Sequence, residues 1–201
     1  MSVPGPFPKN VAARDNAPNE WMPRAARECE GLDLSGVKLP QEHTAACLAS
    51  ESLVSLKLRG CGLAGKLEVS ASSRLRSLDV SANPEGLRGG GLLALVGTLP
   101  GSCEELDLSD MGMGEAAGAD VKALVAAAVG RDGLRKLRLF GNRIAKAADA
   151  DAVVDAICDA LPGCGLEEVS VREERTAQVA NGARDEAMKR LLNSSPSRHI
   201  D

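Results

Sequence analysis

Few side chains in this 201-residue chain have the type and spacing needed for catalysis or metal binding. The only histidines are His43 and His199, and His43 is expected on a helix at the outer surface, as a solvated side chain. Cys158 and Cys164 lack the close Cys-x-x-Cys pairing typical of a zinc site. We therefore expect no catalytic set, no metal site and no enzymatic activity.

One glycine-rich stretch has the spacing of a dinucleotide-binding turn. Residues 112–117 read Gly-Met-Gly-Glu-Ala-Ala, the G-x-G-x-x-A pattern that places a pyrophosphate at a helix N-terminus. No acidic residue ends a second strand about 20 residues later, where a ribose would be bound. Residues 86–91 contain no Gly-Lys-Ser/Thr and are not a phosphate loop. We interpret both stretches as turns that need glycine for tight geometry, and expect no cofactor.

The six cysteines are better explained as buried, reduced side chains than as disulfides. Buried cysteine behaves as a small hydrophobic residue, and most of these cysteines fall at apolar or turn positions of the repeat described below. Residues 1–19 contain four prolines and no apolar run, so no signal peptide is expected there. Reduced cysteines without a secretion signal predict a cytoplasmic protein.

A recurring apolar pattern, L-x-x-L-x-L-x-x-(N/C)-x-(L/I), is the main feature of the chain. Its copies begin at Leu53, Leu75 and Leu134 and, with substitutions, at Cys29, Cys103 and Leu166. The second leucines of the units, or Val169 in the last, are 24, 22, 28, 31 and 32 residues apart. Repetition at such periods is typical of a solenoid.

Each unit combines a short strand with a connecting segment. Leu32 and Leu34 face one side of a strand and Asp33 the other, because strand side chains alternate. Apolar residues at helical spacing predict helices around residues 40–48, 92–99, 121–129 and 153–161, whereas residues 65–74 are expected to be extended. Burying about five apolar side chains contributes about 10 kcal/mol. Ordering a unit costs about 40 kcal/mol, so the units must stack.

These motifs resemble the leucine-rich repeat family, and the longer helical units resemble its ribonuclease-inhibitor-like subclass. The resemblance implies an α/β solenoid of about six repeats over residues 27–192, with a curved parallel sheet on the concave side and helices on the convex side. Residues 1–26 are then a flexible N-terminal arm, and residues 193–201 a disordered tail. Trp21 is expected to cover the open end of the first unit, rather than to anchor a ligand.

The resemblance implies a non-enzymatic module that binds a protein partner through its concave face. The subclass also includes the Ran GTPase-activating protein, so regulation of a small GTPase is an alternative. Arg143, beside the turn at Asn142, is the kind of residue that could act there. A structural subunit of a larger assembly is a further alternative. The net charge of −4 and the lack of an 18-residue apolar stretch argue against nucleic-acid and membrane partners.

Polar strand residues define the candidate binding site on the concave face. Asp33, Lys57, Asp79, Asp107, Arg138 and Ser170 should form a central series across the sheet, with Arg59 and Phe140 two residues further along their units. The charges either only keep the sheet soluble and in register or recognise a partner with a complementary pattern. Phe140 either anchors that partner or covers a neighbouring strand. The predicted site residues are Lys57, Arg59, Asp79, Asp107, Arg138 and Phe140.

Overall fold

The computed structural model describes residues 8–12, 21–87, 90–115, 118–144, 150–160 and 165–170. Seven strands in this part of the chain form one parallel sheet, and neighbouring strands follow each other in chain order. The strands are β1 (Asn10–Ala12), β2 (Gly31–Asp33), β3 (Ser55–Lys57), β4 (Ser77–Asp79), β5 (Glu105–Asp107), β6 (Lys136–Arg138) and β7 (Glu168–Ser170).

The repeat leucines align across the sheet. Leu32, Leu56, Leu78, Leu106, Leu137 and Val169 are register partners from β2 to β7. The prediction that the six repeated segments stack side by side in chain order is therefore confirmed.

Helices connect most of the strands. They are α1 (Met22–Glu28), α2 (Gln41–Leu48), α3 (Pro84–Leu87), α4 (Gly91–Gly97), α5 (Gly118–Val129) and α6 (Ala150–Ala160), with a 3-10 helix at Met113–Glu115. In α5 the buried side chains recur at spacings of three and four residues, which gives one apolar stripe. Helix α4 packs against α5, and α5 against α6, so the helices stack in the same order as the strands.

The connection between β3 and β4 is the exception. It contains no helix, as its short spacing predicts, yet Leu67 and Val69 are buried. Val69 donates its backbone N–H to the Thr98 hydroxyl at 3.0 Å, and Thr98 follows helix α4 of the next connection. A neighbouring helix end therefore supplies a hydrogen bond that a helix here would have made internally.

One continuous apolar core runs through the stack. It extends from Met22 to Val169 and includes the inward leucines of every unit, along with Cys29, Cys47, Cys61 and Cys103. These four cysteines and Cys158 form no disulfide in the described structure. Burial raises the pKa of Cys47 to about 12 and the pKa values of Cys61 and Cys103 to about 11, so the thiols stay protonated at neutral pH.

Asparagine and cysteine side chains at the turn position connect their units to the preceding units by hydrogen bonds. The Asn83 amide donates to the carbonyl oxygens of Leu58 and Val80, both at 2.8 Å, and its oxygen accepts the Leu63 N–H at 3.1 Å. Asn142 repeats the arrangement two units later. At Cys61 the thiol donates to the Leu34 carbonyl at 3.1 Å, which is the weaker substitute expected of cysteine.

The N-terminal end has more structure than the predicted arm of residues 1–26. Strand β1 pairs with β2, and helix α1 starts at Met22 and adds Ala25 and Ala26 to the core. Trp21 packs half-buried against this core, the contact expected of a side chain that covers this end. The predicted tail at 193–201 and the C-terminal part of the predicted domain, residues 171–192, lie outside the described residues.

Candidate functional site

The candidate site lies on the sheet face that carries the polar strand residues, which we call the strand face. The repeat leucines belong to the core shared with the helices, so the alternate strand residues point to the opposite side. The last residues of the strands form a central row of register partners: Ala12, Asp33, Lys57, Asp79, Asp107, Arg138 and Ser170. Two residues later, a second row consists of Ser35, Arg59, Ser81, Ser109 and Phe140.

All six predicted site residues lie in these two rows. Lys57, Asp79, Asp107 and Arg138 are consecutive in the central row, and Arg59 and Phe140 are in the second row. Ion pairs between neighbours of the central row form only in part. Lys57 pairs with Asp33 at 3.6 Å, but neither Lys57–Asp79 nor Asp107–Arg138 is an ion pair in the described structure.

Three aspartates of the central row share one local motif. In Asp-x-Ser, the carboxylate accepts the backbone N–H of the serine two residues later, at 3.1 Å in Asp33, 2.9 Å in Asp79 and 2.9 Å in Asp107. Such a bond stabilises the turn that ends each strand. Burial alone would raise the pKa of Asp33, but hydrogen bonds from Ser35 and the charge of Lys57 outweigh it and lower that pKa.

Arg59 bridges three units of the sheet. Its guanidinium donates to the Ser81 hydroxyl at 2.8 Å and to the Asp110 carboxylate at 2.9 Å, 51 residues away in sequence. Ser81 is fully buried, although its neighbours in the second row include exposed residues. Because both bonds are internal, Arg59 is already engaged before any partner binds.

Phe140 is an exposed aromatic ring on the strand face. In the described part of the chain, Phe140 and Leu93 are the exposed large hydrophobic residues, at 37% and 39% exposure. Leu93 lies on helix α4, away from the strands. The Phe140 backbone is fixed, because its N–H donates to Ser109 Oγ at 3.2 Å and its carbonyl accepts the Asp110 N–H at 2.7 Å. Arg172, two residues after Ser170 in the sequence, lies outside the described residues.

Sequence reasoning missed an ion pair on this face. The repeat pattern does not single out Glu105 and Lys136, which are the first residues of β5 and β6. Counting back by two from Asp107 and Arg138 of the central row would have found both.

The Glu105–Lys136 pair shifts the pKa values of both groups. Lys136 Nζ lies 2.8 Å from Glu105 Oε1. The hydrogen bond from Lys136, outweighing burial, lowers the pKa of Glu105, and the same bond raises the pKa of Lys136. This pair is thus another charge on the strand face that is compensated internally.

The other residues considered for chemistry have structural environments. The Gly114 N–H donates to the Asn142 carbonyl at 2.8 Å, and a Cβ at residue 114 would overlap the Arg143 carbonyl. This contact explains why glycine is needed in the G-x-G-x-x-A stretch. The Arg143 guanidinium pairs with Glu115 at 3.8 Å. His43 is on α2 as predicted but only partly exposed, and its Nδ1 is buried without a hydrogen bond among the described residues, so it is not fully solvated.

Comparison with known proteins gives a structural match only. No protein-family model matches the sequence, and no curated protein matches it. The fold is similar to that of the leucine-rich repeat-containing protein LegL7 from Legionella pneumophila, with a TM-score of 0.50 and 14% identity. The match covers 87% of this chain and 65% of the LegL7 chain, so this chain spans just under two thirds of it. No described helix is long and apolar enough to cross a bilayer. The parallel sheet in chain order and the structural match together show that the chain folds as an α/β leucine-rich repeat solenoid.

Proposed function

We propose that this chain is a non-enzymatic module that binds a protein partner through its strand face. The observation that carries the proposal is the exposed ring of Phe140. Phe140 lies two residues after Arg138, in a second row whose other members are serines and Arg59. Removing a phenyl ring from water is favourable, and aromatic side chains at the centre of an interface supply much of its affinity. A solenoid offers such a continuous surface because its strands lie side by side.

The six site residues have different parts in this proposal. Phe140 supplies apolar contact, and its backbone bonds to Ser109 and Asp110 hold it in place, which limits the entropy lost on binding. Lys57 and Arg59 are paired internally with Asp33 and Asp110, so they shape the surface more than they attract a partner. Asp79, Asp107 and Arg138 make no ion pair within the described ranges and are the charges available for recognition.

The test compares alanine variants of two apolar residues with similar fractional exposure. A partner is isolated from the native cell with the full chain, and its affinity is then measured for the native chain, Phe140→Ala and Leu93→Ala. We expect Phe140→Ala to weaken binding by about 2 kcal/mol or more. Leu93→Ala is the matched control, since Leu93 is equally exposed but lies on α4, and it should bind like the native chain. Equal affinities of all three folded proteins would remove Phe140 from the site.

Two finer assignments belong to the same proposal. We infer the ribonuclease-inhibitor-like subclass because the late, long units carry the helices α5 and α6. We infer a cytoplasmic location because the five described cysteines form no disulfide. The alternatives, a GTPase regulator and a structural subunit, stay predictions. Faster GTP hydrolysis by small GTPases would support the first, and failure to form a monodisperse monomer would support the second.

A further inference from the structure

The internal ion pairs of the strand face leave a specific residual charge pattern. Lys57, Arg59 and Lys136 each neutralise an aspartate or glutamate of the same chain. Asp79, Asp107 and Arg138 do not take part in any ion pair of the described structure. In the central row, two neighbouring negative charges and one positive charge therefore remain, in the order β4, β5 and β6.

The two negative charges are close enough to share one cation. Asp79 and Asp107 are register partners, and neighbouring strands lie about 4.8 Å apart. Each carboxylate uses Oδ1 for the following serine, and in the described part of the chain neither Oδ2 makes a hydrogen bond. Two carboxylates so placed repel each other unless a cation lies between them, and a guanidinium has enough donors to bind both.

The neighbouring charges restrict where such a cation can bind. Arg138, beside Asp107, repels a second positive group over β6. Lys57, beside Asp79 on the other side, is drawn towards Asp33 at 3.6 Å and does not fill the gap. The Arg59 guanidinium already lies in the second row, between Ser81 and Asp110. The favourable position for an added cation is therefore over the central row at β4 and β5, one strand away from the unit that carries Phe140.

We propose that the partner presents an arginine or lysine to the Asp79–Asp107 pair and an adjacent apolar side chain to Phe140. This inference rests on the proposed function and adds the chemistry of the partner segment. The acidic pair sets the sign and the register of docking, and the ring supplies apolar contact. Because these charges are at the surface, the affinity should fall as the salt concentration rises.

The experiment selects binders from a display library of random peptides with the native full chain. The selected peptides should be enriched in arginine or lysine next to an apolar residue. Asp79→Asn with Asp107→Asn should weaken their binding at least about tenfold. Asparagine keeps the oxygen that accepts the serine N–H, so the strand ends should remain folded, and thermal unfolding checks this. The matched control is Glu68→Gln, which neutralises a carboxylate paired with Lys66 between β3 and β4 and should not change the affinity.

A reversed pair gives the complementary result. Selection with Asp79→Lys and Asp107→Lys should return peptides enriched in aspartate or glutamate at the same position. Peptides that need Phe140 but show no excess of basic residues would overturn this inference and leave the proposed function intact. Peptides whose affinity is changed neither by Phe140→Ala nor by the two asparagine substitutions would count against the strand face as a binding site altogether.

Discussion

At the scale of single residues, side-chain amides join successive units where the backbone cannot. Asn83 satisfies carbonyl groups of two units and one N–H, all of them buried. Cys61 occupies the same position one unit earlier with a single thiol bond to Leu34. Asparagine therefore fixes the spacing between units more strongly than cysteine does.

This difference predicts unequal costs of substitution. Asn83→Ala leaves several buried backbone groups without partners and should lower the free energy of unfolding by about 2–3 kcal/mol. Cys61→Ala removes one weak donor and should cost about 1 kcal/mol. Urea unfolding of both variants measures the two values. Similar losses at the two positions would show that the amide has no special role.

A second prediction at this scale concerns the pH dependence of the Glu105–Lys136 pair. Because the folded pKa of Glu105 is lowered, its stabilising contribution is present above the unfolded carboxyl pKa, about 4.3, and is lost as the pH falls through the folded value. Because the folded pKa of Lys136 is raised, its contribution is present below about pH 10.4 and is lost as the pH rises through its folded value.

NMR titration of the Glu105 carboxyl carbon tests the pair. Lys136→Gln removes the hydrogen bond and the nearby charge, so the pKa of Glu105 should rise towards its ordinary value. Lys66→Gln is the control, because Lys66 pairs with Glu68, and it should leave the Glu105 titration in place. An unchanged Glu105 pKa in Lys136→Gln would contradict the assigned cause.

At the scale of elements, the repeat period predicted the six repeated strands, and the 3.6-residue period most of the helices. The details that failed depend on tertiary contacts. The pattern for α4 included Leu93, but the buried stripe is Leu92, Leu95 and Val96, and Leu93 is exposed. Strand β1 has no repeat signal, because its segment lacks the leucines of the pattern. Its position follows from the free edge of β2, whose Glu30 and Gly31 N–H groups donate to the Lys9 carbonyl.

The sequence placed all six candidate residues on one face but could not show which charges remain available. The alternation of strand side chains suffices for the face. The engagement of Arg59 depends on Asp110, 51 residues away, and the Lys57 side chain chooses Asp33 over Asp79. Side-chain geometry decides which charged neighbour a residue pairs with. The spacing of residues in the sequence carries no information on that geometry.

The edge strand β1 gives a prediction at the element scale. Gly31 has no side chain where the other central strands carry serine, glutamate or lysine, and a Cβ there would overlap the Asn10 side chain. Gly31→Val should therefore turn the exposed Asn10 side chain away and, because the valine methyl groups also crowd its Cβ, loosen β1 and speed hydrogen exchange of the amides at residues 30 and 31, which bond to the Lys9 carbonyl.

The rescue variant separates this clash from a general loss of stability. Adding Asn10→Ala to Gly31→Val removes the overlapping atoms and should restore slow exchange at both amides. Fast exchange that persists in the double variant would show that β1 is not held in the way the contact indicates.

At the scale of the whole molecule, stability is a sum over neighbouring units, so position along the stack matters. Leu78 is at the centre of the described sheet and Leu166 is near its last strand, and both are buried. Each leucine-to-alanine change costs about 2–5 kcal/mol in a well-packed core. The same chemical loss should therefore have different structural consequences at the two places.

Hydrogen exchange measures this positional effect. Leu78→Ala should lower protection in strands on both sides of β4, because the units before and after it lose a shared neighbour. Leu166→Ala should raise exchange mainly in α6 and β7 and leave β2 to β4 protected. A uniform loss of protection in both variants would indicate one fully cooperative unit instead of stacked ones.

The cysteines buried along the stack can report the order in which its units open. Cys29, Cys47 and Cys61 belong to the first units, Cys103 to the middle and Cys158 to α6. A protonated, buried thiol is inert to alkylating reagents, so the buried Cys29, Cys47, Cys61 and Cys103 are labelled only after their own units open. The order in which these four sulfur atoms acquire label would therefore record, from a single sample, whether the first units or the middle of the stack opens first.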